Sequence, residues 1–93
     1  MKNIRIGQKE VIHFIGIGGI GMSGLAQVMK TMNFKIQGSD QSKNKNTYNC
    51  SKAGIKIFIG HAKKNISNAT IIVKSSAIKD NNVEIKYAKK REI

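Results

Sequence analysis

The 93-residue sequence predicts an α/β domain built on a doubly wound parallel sheet of about four strands. Three observations carry that expectation. Short apolar, β-branched runs alternate with helical or turn segments along the chain. The first run flows directly into a glycine cluster, Gly16-Ile17-Gly18-Gly19-Ile20-Gly21, with an amphipathic segment behind it. Hydrophobic residues make up 40% and charged residues 24%, ordinary usage for one small globular domain.

Taken in order, residues 1–10 are polar and basic and read as a flexible lead-in. Val11-Ile12-His13-Phe14-Ile15 is apolar enough for a buried parallel strand. A helix is expected over 20–32, with Leu25, Val28, Met29 and Met32 forming one apolar stripe and Asn33 ending it. Residues 34–39 read as a second strand and 41–46 as a polar loop. A weak helix is expected over 47–53, closed by Gly54. Residues 55–59 form a third strand, 62–67 a single helical turn and 70–74 a fourth strand. Residues 81–90 form a last helix that turns Val83, Tyr87 and Ala88 to the sheet. Arg91-Glu92-Ile93 then resembles the approach to a further strand, so the domain is expected to be truncated before its fifth.

Bulk features exclude several classes. The single cysteine, Cys50, excludes a disulfide framework or a cysteine-rich zinc site and points to a reducing cytoplasm. Cys50 itself reads as a small apolar helix residue. The longest uncharged run, 11–29, is too broken by glycine and polar residues to span a membrane. The net charge of +12 predicts adhesion to polyanions at low salt. The lysines are spread along the chain, however, which argues against a specific nucleic-acid module. No Gly-x-x-x-x-Gly-Lys-Ser/Thr phosphate loop, paired carboxylate site or metal-ligand cluster is present in the sequence.

The chemistry gathers at one sheet edge, because ligands of open α/β sheets bind beyond the carboxyl ends of the strands. Gly16-x-Gly18-x-x-Gly21 between a strand and a helix is a phosphate-cradling pattern. Gly16 permits the turn, Gly18 lets the backbone approach a pyrophosphate, and Gly21 lets the helix pack closely on the sheet. The N–H groups of Gly19, Ile20 and Gly21 then face the anion. Asp40 lies about 20 residues further on, where a carboxylate accepts from ribose hydroxyls. His61 and the Ser75-Ser76 pair end the third and fourth strands and could donate to a base or a phosphate. His13, inside a strand, reads as structural. These residues alone fit a nicotinamide-binding Rossmann-like domain of a dehydrogenase or a potassium-transport regulator as well as any other pyrophosphate binder.

The segment from His13 to Ala26, with Gly16-Ile17-Gly18-Gly19-Ile20-Gly21-Met22-Ser23 at its centre, resembles the opening of the Mur ligases of bacterial peptidoglycan synthesis. Within that family it is most similar to the members that join L-alanine to UDP-N-acetylmuramate. Gly38-Ser39-Asp40, Gly60-His61 and Ser75-Ser76-Ala77-Ile78 match later family motifs in the same order. The resemblance implies that residues 11–93 are an incomplete UDP-sugar-binding domain. It implies Gly18, Gly19, Ile20, Gly21 and Met22 around the diphosphate, and Asp40 and His61 near the uridine. Ser75, Ser76, Ala77 and Ile78 would line the same pocket, and Gly16 and Ser39 also count among the UDP-sugar-binding residues. It also implies ATP and magnesium for the full-length enzyme, bound by central and C-terminal domains outside this chain. The chain by itself is then expected to hold no cofactor and no catalytic residue, and to be inactive.

Overall fold

A computed structural model describes residues 7–93. The elements follow the expected alternation: β1 (Val11–Ile15), α1 (Met22–Thr31), β2 (Lys35–Asp40), α2 (Lys45–Lys52), β3 (Lys56–Ile59), a 3₁₀ turn (Lys63–Ile66), β4 (Ile71–Lys74) and α3 (Val83–Lys90). All strand pairs are parallel, and the sheet order is β3-β2-β1-β4. The first two crossovers therefore step outward on one face. The third carries the chain back across the sheet to the opposite edge, next to β1. This reversal at β1 opens a crevice at the carboxyl ends of the strands.

The two faces of the sheet differ because side chains alternate along each strand. On one face Ile12, Phe14 and Ile36 pack with Ile17, Ala26, Cys50 and Ile55 in a single apolar cluster beneath α1 and α2. Burying each of the large side chains stabilises the fold by about 1.5–3 kcal/mol. The neighbouring positions His13, Gln37 and Ser39 point the other way and are also buried. They meet α3 and the 3₁₀ turn through hydrogen bonds. A smaller apolar cluster of Ile66, Ala69 and Ala88 closes that face, with Ile72, Tyr87 and Ile93 against it.

Several details depart from the sequence expectation. Helix α1 starts at Met22 rather than at residue 20, because Gly21 takes φ +84° as its N-cap. Its sheet contact is made by Ser23 and Ala26, with Met22 and Met29 half-buried. Leu25, Val28 and Met32 are exposed. Small residues at the contact let the helix sit close to the sheet. The larger apolar ones then fall on the flank turned away from α2, which Ser23 and Gln27 face through Cys50. Helix α2 begins earlier than expected, at Lys45, because Asn44 and Thr47 form a reciprocal capping box. Gly54, at φ +90°, follows its end as expected, and Cys50 is buried among apolar neighbours. Helix α3 buries Glu84, Ile85 and Ala88, whereas Val83 is exposed. Of the lead-in, residues 1–6 lie outside the described residues. Residues 7–10 form a turn in which Glu10 N–H donates to the Gly7 carbonyl, and Gln8 is tied to the Met32 carbonyl. Among the described residues no helix is long and apolar enough to cross a membrane.

Candidate functional site

The glycine turn is pinned to the end of β2. Gly16, at φ +84°, and Ile17 both donate their N–H groups to the Ser39 carbonyl, at 2.8 and 3.0 Å. Gly18 donates to Asp40 Oδ2 at 2.8 Å, and its carbonyl accepts from the side-chain amides of Asn44 and Asn46 at 3.1 and 2.9 Å. A Cβ on Gly18 would lie 2.9 Å from Asp40 Oδ2, Asn44 Nδ2 and Thr47 Cγ2. The structure therefore needs glycine here for the join between β2 and α2. Gly21 is also reassigned: a Cβ there would meet nothing within 4 Å, so its positive φ is what matters. Close packing falls instead to Gly38 of β2, where a Cβ would lie 2.7 Å from Ile17 Cβ and 2.9 Å from the Phe14 carbonyl. At the start of α1, Gly19 N–H turns back to the Gly16 carbonyl, while the N–H groups of Ile20 and Gly21 find no acceptor among the described residues. Among the described residues no side chain caps the helix, so its positive end is open.

Beside this turn lies a cleft of about 260 Å³ lined by Gly16, Gly19, Asp40, Gln41, His61, Ser75, Ala77 and Ile78. It joins the ends of all four strands. Asp40 lies just above the glycine turn, with Oδ1 making no hydrogen bond among the described residues. Ser75 N–H donates to the Ile15 carbonyl, and Ser75 Oγ accepts from the Ala77 N–H, fixing the tight turn after β4. Seven of the sequence-derived residues thus line one cleft: Gly16, Gly19, Asp40, His61, Ser75, Ala77 and Ile78. Gly18, Ile20, Gly21 and Met22 belong to the adjoining turn, with Ile20 almost fully exposed. Ser76 points to solvent outside the lining. Ser39 is wholly buried beneath the cleft with its hydroxyl engaged, so it has no free group to offer a ligand. A larger hollow of about 360 Å³ between α2 and β3 is lined by none of the sequence-derived residues.

Under the cleft sits a residue that the sequence did not single out. Glu84, in the first turn of α3, is fully buried. Its Oε1 accepts from His13 Nε2 at 2.8 Å and from Ser39 Oγ at 2.7 Å. Its Oε2 accepts from Asn65 Nδ2 at 2.8 Å, the Ala62 N–H at 3.1 Å and His61 Nδ1 at 3.3 Å. Burial penalises the carboxylate, but the hydrogen bonds from His13, Asn65 and Ser39 outweigh that penalty and lower the pKa to about 2. His13 is structural, as expected. Gln37 Nε2 donates to the Asn65 carbonyl and to His13 Nδ1, both at 2.8 Å, which leaves the His13 proton on Nε2, facing Glu84. His61 Nδ1 also lies 3.0 Å from Ser39 Oγ, while its Nε2 is buried without a partner among the described residues. Nothing local marks Glu84. An acid after an Asn cap in the first turn of a helix reads as a partner of the helix dipole. Its real partner on β1 is 71 residues away.

The family model described as "Mur ligase family, catalytic domain" matches residues 11–93. The chain is similar to the UDP-N-acetylmuramate–L-alanine ligase of Pelagibacter ubique, 57% identical over 90 residues covering 97% of this chain and 19% of the relative. To its counterpart in Rickettsia felis it is 55% identical over 84 residues, covering 90% of this chain and 18% of the relative. Among solved structures, the UDP-N-acetylmuramate–alanine ligase of Thermotoga maritima superposes with a TM-score of 0.85 at 35% identity, over 89% of this chain and 19% of that one. The UDP-N-acetylmuramate:L-alanyl-gamma-D-glutamyl-meso-diaminopimelate ligase of Neisseria meningitides shares the fold, with a TM-score of 0.83 at 24% identity over 90% of this chain and 27% of that one. The chain spans about a fifth of the length of the curated relatives it matches.

Proposed function

The chain belongs to the Mur ligase family, and we propose that it holds the substrate UDP-N-acetylmuramate for a ligase that adds L-alanine in peptidoglycan synthesis. One observation carries the reading. The cleft at the strand ends adjoins the open start of α1 and is lined by His61, whose buried Nε2 has no partner among the described residues. The free N–H groups of Ile20 and Gly21, at the positive end of α1, suit the diphosphate. Asp40 Oδ1 suits a ribose hydroxyl, and His61 with Ala77 and Ile78 suits the base. The role of the chain is thus to bind and orient the UDP-sugar rather than to activate its carboxylate.

The residues present do not fit magnesium-ATP. The sequence has no phosphate loop, and among the described residues no three His, Cys, Asp or Glu side chains could hold a metal ion. In this reading ATP, magnesium and the attacking amine are handled by other parts of a cytoplasmic ligase, and the 93-residue chain alone does not ligate. Thermal-shift titration with UDP-N-acetylmuramate, NAD and NADP in parallel tests the proposal. A ligand at about 100 times its dissociation constant adds roughly 2.7 kcal/mol, and each kcal/mol is worth about 4–8 °C in a domain of this size. A rise with the UDP-sugar alone is expected. A rise with a nicotinamide nucleotide alone would overturn the reading.

A further inference from the structure

His61 is held in an unusual way. Its side chain is only 8% exposed, Nδ1 has two partners, and Nε2 has none. The positions of the protons follow from the donors around it. Glu84 Oε2 already accepts from two obligate donors, the Ala62 N–H and Asn65 Nδ2. The orientation of the Asn65 amide is fixed independently, because Nδ2 also donates to the Gly60 carbonyl at 2.9 Å. Ser39 Oγ has one proton and directs it to Glu84 Oε1 at 2.7 Å. Both neighbours of His61 Nδ1 are therefore acceptors, and Nδ1 must carry the proton. In the neutral ring this leaves Nε2 as a bare lone pair. His61 lines the cleft while Nε2 itself is buried behind the surface, and a buried unpaired acceptor is unfavourable until a partner reaches it.

Resting on the UDP-sugar reading above, we propose that Glu84 is a positioning residue: it holds His61 in the Nδ1-protonated tautomer, so that the cleft selects a nucleoside that donates a hydrogen bond to Nε2. Two groups of a uridine nucleotide can supply that donor, the imide N–H of the base and a ribose hydroxyl. A phosphate oxygen cannot, which separates the work of His61 from that of the helix start at Gly21. Glu84 reaches this role from α3, across the sheet from the glycine turn, and no contact of its own with the ligand is required.

The test uses the chain as it is. Long-range ¹⁵N–¹H spectra of the imidazole rings read the tautomers directly, and the two histidines serve as controls for each other. His61 is expected with Nδ1 protonated and Nε2 bare, His13 with the opposite pattern. A protonated Nε2 and bare Nδ1 on neutral His61 would overturn the proposal without any variant. Dissociation constants are then measured for UDP, CDP, 2′-deoxy-UDP and 3′-deoxy-UDP. Losing the donor is expected to weaken binding by about tenfold to a hundredfold. A loss with CDP alone assigns the donor to the imide, and a loss with one deoxy analogue assigns it to that hydroxyl. Equal binding of all four overturns the proposal and leaves the UDP-sugar reading standing, whereas no binding of UDP itself overturns both. In Glu84→Gln the amide oxygen keeps the Oε2 position, where the Ala62 N–H and Asn65 Nδ2 donate, so the new NH2 faces Ser39 Oγ and frees the Ser39 proton for His61 Nδ1. The Nε2-protonated tautomer is then expected to appear and the preference for UDP over the sensitive analogue to fall about tenfold. A folded Glu84→Gln that keeps both the tautomer and the preference would contradict the role given to Glu84.

Discussion

Strands β1 and β2 present two buried faces of opposite character. On one, Ile12, Phe14 and Ile36 meet α1 and α2 in a purely apolar cluster. On the other, His13, Gln37 and Ser39 alternate with them along the same strands and meet Glu84 and Asn65 in a hydrogen-bonded network. The first face is non-directional and supports the fold. The second is directional, and it fixes His61, a cleft residue whose buried Nε2 has no partner among the described residues. The difference shows that burial alone does not separate structural from functional residues. The more telling question is which buried polar group lacks a partner.

Substitutions can break this contrast. The largest effect is expected from Phe14→Ala on the apolar face, a loss of about 3–5 kcal/mol from cavity formation, read as a fall in the urea midpoint. That loss should be the same at pH 7 and pH 3. Glu84→Gln on the polar face should lose roughly 3 kcal/mol at pH 7, the value of a carboxylate whose pKa falls from 4.5 to about 2 on folding. Because the folded pKa is the lower one, this stabilisation is present above about pH 4.5 and disappears as the pH falls toward 2. The gap between wild type and Glu84→Gln should therefore close in acid. A gap of constant size would mean that the polar face is held by packing rather than by charge. Gly38→Ala, which pushes a methyl group toward Ile17 and the Phe14 carbonyl, should lose about 1–3 kcal/mol in thermal melts. Leu25→Ser and Val28→Ser, on the exposed flank of α1, should change the melting stability by less than about 0.5 kcal/mol. A large loss there would restore the apolar stripe that the sequence pattern suggested.

The same contrast explains what could be read before the structure. The apolar face was legible because a parallel sheet buried on both sides concentrates β-branched residues into short runs, and the glycine turn announces itself locally. Seven of the residues singled out from the sequence line the cleft. The stripe on α1 misled because small residues make the close contact, and a helical period alone does not show which side meets the sheet. The spacing around Gly18 gave no hint that the chain's own Asp40, Asn44 and Thr47 crowd it. The Glu84 network was illegible for a different reason. Its members come from β1, β2, the turn after β3, the 3₁₀ segment and α3, and only the crossover that returns the chain beside β1 brings them together. Propensity and spacing carry no trace of such a meeting.

The most direct test of the contrast is an amide ¹H–¹⁵N titration of the chain with UDP-N-acetylmuramate. The largest shifts are expected at Gly19, Ile20, Gly21, Asp40, Gln41, His61 and Ala77, with smaller ones passing through Ser39 and Glu84 behind them. Shifts centred on Leu25 and Val28 or on the hollow beside Tyr48, with the His61 cleft unmoved, would contradict the assignment of the polar face to ligand binding.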